Sequence, residues 1–342
     1  MLADRWNRHQ QLIISTVFWG AQLGVLYTSD GYNGLIVAEL MAALAWALRS
    51  GTVEAYLHEA IMMKDNNRKS IQWQGRLAAG SLVMQTLASL LGGWLFERWV
   101  EGPVLTSLVF AILGIWLSLG LPDISQVRGD YHLNPFKDVY RILHWSFREH
   151  ARLPWLLWGP PVLIGSTTIV FWAVQARLIL LGISPVWQGV ALCSTLLLQA
   201  GMAFCMDRLL ACYGQRALIV ALPLMLAVGI MFVALSPFAL LVWLGGIIGS
   251  GAVQAIGRPF NISLINNEVR DSDRVAVLSV GNLVNTLTGA VLLLASQPLL
   301  DFFSISQVLI SYLIVTLLLA GYPLYQLLKP TISGPLLPAV SY

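Results

Sequence analysis

Ten long apolar runs limit what this 342-residue chain can fold into. Each run is near or above the roughly 20 residues that an α-helix needs to cross the hydrocarbon core of a bilayer. They lie at about 11–28, 34–60, 74–96, 103–121, 153–181, 187–206, 215–235, 237–262, 274–296 and 304–327. None shows the strict alternation of a barrel strand, and a segment in hydrocarbon must satisfy its own backbone hydrogen bonds. The chain is therefore predicted to be an all-α, polytopic membrane protein with about ten transmembrane helices.

The charged residues are few and lie mostly on one side of the predicted membrane. Hydrophobic residues make up 57% of the chain and charged residues 11%, whereas a soluble domain carries about 25% charged residues. If the N-terminus is cytoplasmic and ten spans alternate, seventeen of the 20 Lys and Arg residues fall at or near the inner face. This asymmetry predicts a multi-pass protein of the cell inner (plasma) membrane with both termini cytoplasmic. Because the basic charge reports orientation, a nucleic-acid partner is not expected.

No residue pattern in the chain predicts an enzyme. The three cysteines lack the spacing of a metal site or a disulfide framework. His58-Glu59 lacks the second histidine of a zinc-protease helix, because position 62 is methionine. The chain has no phosphate-binding glycine loop and no nucleophile elbow. The sequence therefore predicts no catalytic residues, no metal and no cofactor.

The chain contains a repeat that predicts two copies of one unit. The string SGTVEA at 50–55 recurs as SGAVQA at 250–255. Two shorter matches keep the same order: Asp4-Arg5 with Asp207-Arg208, and Arg76 and Ser81 with Arg274 and Ser279. Three matches at offsets of about 200 residues predict duplicated membrane units packed face to face, an arrangement that gives many secondary transporters a central solute site.

The repeat also predicts the domain boundaries. It pairs spans one to four with spans seven to ten, and leaves spans five and six without N-terminal counterparts. The predicted domains are a four-helix half at 1–121, a cytoplasmic linker at 122–152, a six-helix half at 153–330 and a cytoplasmic tail at 331–342. Within the linker, 134–150 is either a basic amphipathic helix on the inner membrane surface or a solvated connection.

Glycine clusters mark two of the predicted spans. Gly92 and Gly93 lie in the third span, and Gly245, Gly246 and Gly249 lie in the eighth. Because glycine lets helix backbones approach closely within a membrane, both clusters predict helix packing and not a ligand site.

The loop at residues 2–9 carries a recognisable motif. Asp4, Arg5 and Arg8 match the pattern G-x-x-x-D-R/K-x-G-R/K-R/K, whereas Asn7 replaces its second glycine. Three further motifs follow at the expected places: the string at 50–55, Trp-x-x-Gln at 172–175 and a degenerate loop copy at 207–216. In the order and spacing of these motifs, the whole chain resembles an exporter-like member of the major facilitator superfamily of transporters.

The resemblance implies a pseudo-twofold helical bundle that lacks the first two family helices. The four N-terminal spans would match the third to sixth family helices, and the other six would match the seventh to twelfth. Three explanations are open: a start codon assigned too late, a degraded gene, or a working shortened protein.

The second predicted span carries a stripe that suits a solute or proton pathway. Steps of three and four residues place its members on one helical face: Glu39, Ala43, Trp46, Ser50 and Glu54. Ionisable groups inside a bilayer cost about 2.5–3.5 kcal/mol each, so they usually face a cavity or a partner. We therefore expect Glu39, Trp46 and Glu54 to line the pathway. The alternative is that the two carboxylates lie at the membrane interfaces.

Arg49 lies off this stripe and is expected to pair with a carboxylate of another helix. The resemblance suggests proton antiport. However, aligning Gly51 with the glycine of the family's antiport motif puts Ala47 where that motif has its arginine. Proton coupling through Glu39 or Glu54 is therefore left open.

The fifth predicted span carries a second candidate group in its outer half. Trp172 and Gln175 combine an apolar platform with an amide, and Arg177 adds a charge. Gln254, within the repeated string, is a weaker candidate of the same kind. The alternative is that Gln175 joins two helices and Arg177 anchors the outer interface.

The loop motifs imply a gate at the cytoplasmic side. In the family, this loop approaches the inner end of the eleventh helix, which corresponds to the ninth predicted span here. A carboxylate near a helix N-terminus is stabilised by about 0.3–1 kcal/mol. A contact that forms in only one of two conformations biases alternating access. The residues so implicated are Asp4, Arg5, Arg8, Asp207, Arg208, Arg216 and Arg274.

These features predict a secondary active transporter that moves a small organic solute across the lipid bilayer by alternating access, as a monomer. The alternative is a non-transporting membrane protein, or the remnant of a transporter gene, that keeps its helices for structure alone. Family members with similar motifs differ in substrate, in direction and in coupling ion.

Overall fold

A computed structural model describes residues 7–29, 31–49, 52–53, 56–57, 60, 70–123, 144, 152–269 and 271–329. The chain forms two compact units. The first unit comprises Met1–Lys137 with Ile183–Leu197, and the second comprises Asp138–Gly182 with Leu198–Tyr342. The domain boundaries drawn from the repeat stay a prediction.

Among the described residues, the first unit contains four helices and the beginning of a further one. The four are α1 (Arg8–Thr28), α2 (Tyr32–Arg49), α3 (Ser70–Arg98) and α4 (Gly102–Leu119). Small residues bring α1 against its neighbours: Ala38 and Ala45 of α2 are buried, and Gly20 of α1 faces Ala111 of α4. Helix α1 is the centre of this unit, because it packs against both α2 and α4.

The second unit contains the remaining helices. They are α5 (Leu153–Leu180), the end of α6 (Pro185–Phe204), α7 (Met206–Leu235), α8 (Ala239–Gly246), a π-helical turn (Ile247–Ala252), α9 (Val253–Glu268), α10 (Asp271–Leu300) and α11 (Ile305–Leu328).

The all-α fold class is confirmed, because every regular element in the described ranges is helical. Eight of the ten apolar runs each coincide with one helix. The run at 34–60 contains α2 up to Arg49, after which several residues lie outside the described ranges, and the run at 237–262 covers α8, the π turn and the start of α9. Six helical segments of the described residues are long and apolar enough to cross a membrane. They are Gly102–Leu119, Leu153–Leu180, Arg208–Leu235, Ala239–Ile265, Val277–Leu300 and Ile305–Leu328. Ten membrane spans stay a prediction.

Helix α5 forms the core of the second unit. It contacts α7, α8, α9, α10 and α11. A side chain on Gly159 would meet Pro323 of α11 at 2.9 Å, and one on Gly165 would meet Thr288 of α10 at 2.8 Å. The buried hydroxyl groups of Ser166 and Thr316, 2.8 Å apart, add a hydrogen bond between α5 and α11. The absence of side chains at these glycines therefore lets three helices approach closely.

A second glycine contact joins α7 to the segment that starts with α8. A Cβ atom on Gly229 would overlap the backbone of Gly249 and lie 2.7 Å from the carbonyl oxygen of Gly245. In the first unit, one on Gly93 would lie 2.5 Å from the Pro185 carbonyl oxygen. The predicted packing role of the glycine clusters is confirmed at these positions. Gly92 has nothing within 4 Å of a Cβ position and takes no part in such packing.

A glycine also breaks α7 near its beginning. Gly214 has a φ of 74° and a ψ of 168°, so the residues before it and the residues after it form two helical pieces. An L-amino acid with a side chain rarely adopts a positive φ, and glycine does so at no steric cost. Gly214 therefore turns the chain between the short piece carrying the degenerate loop motif and the apolar span.

We predict that Gly229→Leu destabilises the second unit. The new side chain has no space between α7 and the π turn, and overpacking costs about 1–3 kcal/mol or more. Thermal unfolding of the purified protein in detergent should show a lower midpoint. Gly24→Leu is the control, because nothing lies within 4 Å of a Cβ atom at Gly24. Equal midpoints for the two variants would contradict the packing argument.

Candidate functional site

Helix α9 carries three polar side chains on one face. Gln254, Arg258 and Asn261 are spaced by four and three residues, which places them on the same side of the helix. They lie within the apolar segment Ala239–Ile265. Polar and charged groups in such a segment are costly unless they have a partner or a function. We call these three residues the α9 polar face.

The two ends of the α9 polar face are held in different ways. The Gln254 Nε2 atom donates a 2.8 Å hydrogen bond to the Thr167 Oγ1 atom of α5. Thr167 is fully buried, so this bond fixes the position of the amide from the interior of the unit. At the other end, the Asn261 Oδ1 atom is buried and has no hydrogen-bond partner among the described residues. A buried carbonyl oxygen without a partner is unfavourable by about 1–3 kcal/mol, and a ligand that donates a hydrogen bond would relieve this cost.

Arg258 is the charged member of the α9 polar face and is exposed. Its guanidinium group offers up to five N–H donors. Together with the Gln254 amide, it provides a set of donors along a single face, and the Asn261 carbonyl oxygen adds an acceptor that has no partner among the described residues. Such a set can bind a small solute that carries oxygen acceptors and at least one donor.

The π turn immediately precedes this face. Residues Ile247–Ala252 form it, and Gly249 and Ser250 within it are buried. Single π-helical turns inside α-helices occur frequently at functional sites. The turn contains Gly249, which contacts Gly229 of α7, and α9 begins at the next residue after the turn, Val253.

Sequence reasoning identified only one of these three residues. Gln254 is the one that the sequence predicts, whereas Arg258 counts among the cations that the positive-inside rule assigns to the inner face. The signal that could have found them is the spacing itself, because three polar residues at 254, 258 and 261 interrupt an otherwise apolar span on one side.

The three residues predicted on the fifth span differ in their exposure and in their contacts. Trp172 is 54% exposed and contacts Phe171 edge-to-face, with 5.5 Å between ring centroids. Gln175 is half-buried. Arg177 donates from Nε to the Val233 carbonyl oxygen at 3.1 Å and from a terminal nitrogen to the Ser236 carbonyl oxygen at 2.9 Å. Its charge therefore caps the C-terminal end of α7, where carbonyl groups lack helical partners.

On α2, the described part of the predicted stripe is exposed. Glu39, Ala43 and Trp46 all face outward, and Trp46 meets Trp19 of α1 edge-to-face at 6.1 Å. Arg49 is also exposed. Ser50 and Glu54 lie outside the described residues, so the pathway role of this stripe stays a prediction.

The repeated string connects helices in each unit. In the first unit, the Thr52 hydroxyl donates a 2.9 Å hydrogen bond to the Oε1 atom of Gln11, which is fully buried in α1. In the second unit, Gln254 of the matching string bonds to Thr167 of α5. Each copy thus contributes a polar side chain to a contact with another helix of its own unit.

The described part of the predicted gating set lies at helix ends. Arg8 is the first residue of α1 and is half-buried, and both Arg208 and Arg216 of α7 are exposed. Asp4 and Arg5 lie outside the described residues, as do the side chains of Asp207 and Arg274. The gating role therefore stays a prediction.

Asn7, which replaces the motif's glycine, has a clear structural role. Its Oδ1 atom accepts a 2.9 Å hydrogen bond from the His9 backbone N–H and caps the start of α1. Its Nδ2 atom donates a 2.7 Å hydrogen bond to the Asp123 Oδ2 atom, just after α4. One side chain therefore holds the loop-motif end of α1 against the segment that follows α4.

Comparison with solved structures identifies the fold. The chain is similar to the crystal structure of a point mutant of the nucleoside transporter NupG, with a TM-score of 0.70 and 12% sequence identity. The alignment covers 95% of this chain and 85% of that chain. No protein-family model matches the sequence, and no curated protein matches it. The chain therefore has a helical membrane fold similar to that of this transporter structure, with several segments long and apolar enough to cross a membrane.

We predict that Asn7→Ala destabilises the start of α1. The variant loses the cap and the bond to Asp123, and loss of an N-cap costs about 0.5–2 kcal/mol. Amide hydrogen exchange should become faster in the first turns of α1, while the described residues of α5 keep their exchange rates. Unchanged exchange in α1 would contradict the capping role.

We also predict that Arg177→Gln lowers the thermal unfolding midpoint. It removes charged donors from two carbonyl oxygens at the end of α7, and hydrogen bonds to charged groups contribute about 1.5–3 kcal/mol each, less where water reaches them. Arg49→Gln, at an exposed arginine of α2, is the control. An equal midpoint shift in both variants would show that Arg177 does not act as a cap.

Proposed function

We propose that the protein is a secondary active transporter that moves a small organic solute across the membrane by alternating access. The observation that carries the proposal is the α9 polar face within a transporter fold. Three polar groups on one side of an apolar helix, one of them charged, are unfavourable in a purely structural span. A solute that binds there would offset that cost.

The donors and the acceptor of this face suggest the class of solute. Arg258 and Gln254 can donate to oxygen or ring-nitrogen atoms, and the Asn261 carbonyl oxygen can accept from a hydroxyl or amino group. Nucleosides carry all of these groups, and the similar structure is that of a nucleoside transporter. Nucleosides are therefore the first solutes to assay, followed by sugars and other polar organic molecules of similar size.

The first unit contributes to the same proposal through the α2 stripe. Glu39 and Trp46 are exposed on one face, where an indole offers a stacking surface and a carboxylate can bind a proton or a donor. We assign proton coupling to Glu39 or Glu54 and gating to the loop motifs around Arg8 and Arg208. Helices α1–α4 correspond in this proposal to the third to sixth helices of an exporter-like member of the family, in an inner membrane with both termini cytoplasmic.

The experiment is solute uptake into proteoliposomes that contain the purified protein. Labelled nucleosides, sugars and amino acids are tested with and without an imposed proton gradient. We predict that Arg258→Gln lowers uptake about 10- to 150-fold, because a charge-assisted hydrogen bond contributes about 1.5–3 kcal/mol. Arg258→Lys, which keeps the charge without the planar fork, should retain an intermediate rate.

Arg98→Gln is the matched control, because Arg98 stacks on Trp94 at 4.1 Å and lies away from the α9 polar face along the chain. This variant should transport at the unmodified rate. Normal uptake by Arg258→Gln would remove the α9 polar face from the pathway. If the folded protein moves none of the solutes, the alternative of a non-transporting membrane protein gains support.

A further inference from the structure

An apolar groove runs along the outside of the second unit between α7 and α11. Its volume is about 330 Å³. One wall contains Ile219, Pro223 and Ala227 of α7, and the other contains Leu317 and Tyr325 of α11. The walls run antiparallel, because the Ser306 hydroxyl group at the start of α11 donates a hydrogen bond to the Ala234 carbonyl oxygen at the end of α7. The lining is almost entirely apolar, which suits a hydrocarbon chain.

Gly321 of α11 faces open space. A Cβ atom at Gly321 would have nothing within 4 Å, so the space in front of this residue is open. Gly321 itself lies in the lining of the groove. Several of the surrounding side chains are exposed, among them Leu224 at 59% and Tyr325 at 58%. Lipid chains can therefore reach the groove from the side of the unit.

Two cations lie at one end of the groove. Lys329 directly follows Leu328, and its Nζ atom lies 5.1 Å from the centroid of the Tyr325 ring. Arg216 precedes Ile219 and Pro223 by three and seven residues, so it shares their face of α7. Both cations are exposed. An apolar groove that ends at two positive charges is complementary to a molecule with an acyl chain and an anionic head group.

We propose that this groove binds one anionic phospholipid. The acyl chain lies along Gly321 and Pro223, and the phosphate group contacts Lys329 and Arg216. By the positive-inside rule these cations belong to the cytoplasmic leaflet, whose anionic lipids attract basic residues. The inference does not depend on the proposed function, because lipid binding requires no transported solute.

The test measures lipid retention by native mass spectrometry of the purified protein. The protein is incubated with phosphatidylglycerol or with phosphatidylcholine that has the same acyl chains. We expect phosphatidylglycerol to be retained more strongly, and Lys329→Gln to weaken its binding about fivefold, since one basic residue near a membrane surface contributes a factor of that size. Arg216→Gln should give a similar loss.

Two variants test the groove and two test the specificity of the effect. Gly321→Leu and Ala227→Phe fill the groove from opposite walls and should each weaken retention of phosphatidylglycerol. Gly201→Leu is the control for the first pair, because Gly201 of α6 also faces open space. Arg98→Gln is the control for Lys329, because Arg98 likewise lies at a helix C-terminus and stacks on an aromatic ring.

Each outcome decides the inference. Weaker retention in the groove and cation variants, with both controls unchanged, supports the site. Equal retention by all variants overturns it, as does an equal loss in the controls. Inorganic phosphate at millimolar concentration should fail to displace the lipid; complete displacement would show an anion site without the acyl-chain groove. Unfolding midpoints without added lipid identify any variant that does not fold, and the variant of the opposite wall then replaces it.

Discussion

Helices in a bilayer gain little by burying leucine against leucine, because lipid chains are equally apolar. Their association therefore depends on close approach of the backbones and on a few hydrogen bonds. The second unit meets this constraint with glycine: Gly165 brings α5 against α10, and Gly229 brings α7 against Gly249 of the π turn. Dispersion contacts at such short range, together with the Ser166–Thr316 hydrogen bond, hold α5 at the centre of the unit.

The α9 polar face depends on that packing. Thr167, one residue after Ser166 on α5, accepts the hydrogen bond from Gln254, so the helix that holds the unit together also orients the first residue of the face. Gln254 is positioned from inside, whereas Arg258 points to an exposed surface. The α9 polar face therefore combines an amide that is held from the interior with an exposed guanidinium group. Arg177, in contrast, donates its hydrogen bonds to carbonyl oxygens at the end of α7 and therefore stabilises the fold.

Much of the fold could be predicted from the sequence, because an apolar run that crosses a membrane must satisfy its own backbone hydrogen bonds, as a helix does. The packing role of Gly93 and Gly245 followed from the same physics. The candidate functional site was harder to predict. Arg177 resembles a pathway residue in sequence, and only the approach of the α7 carbonyl groups shows what its donors contact. Asn7 could be seen to depart from the loop motif, but its cap and its bond to Asp123 depend on a residue 116 positions away.

The π turn could not be predicted, because its residues suit an ordinary helix equally well. It adds one residue to a turn, and since an α-helix rotates about 100° per residue, α9 is out of phase with α8 by roughly that angle. A helical wheel drawn through both segments without this extra residue therefore misplaces every position after Ala252 by about the same angle. Because of this rotation, the glycines of α8 and of the π turn can face α7, while the amide and guanidinium groups of α9 face another direction. Substitutions on the α9 polar face need not weaken the contact that Gly245 and Gly249 make with α7.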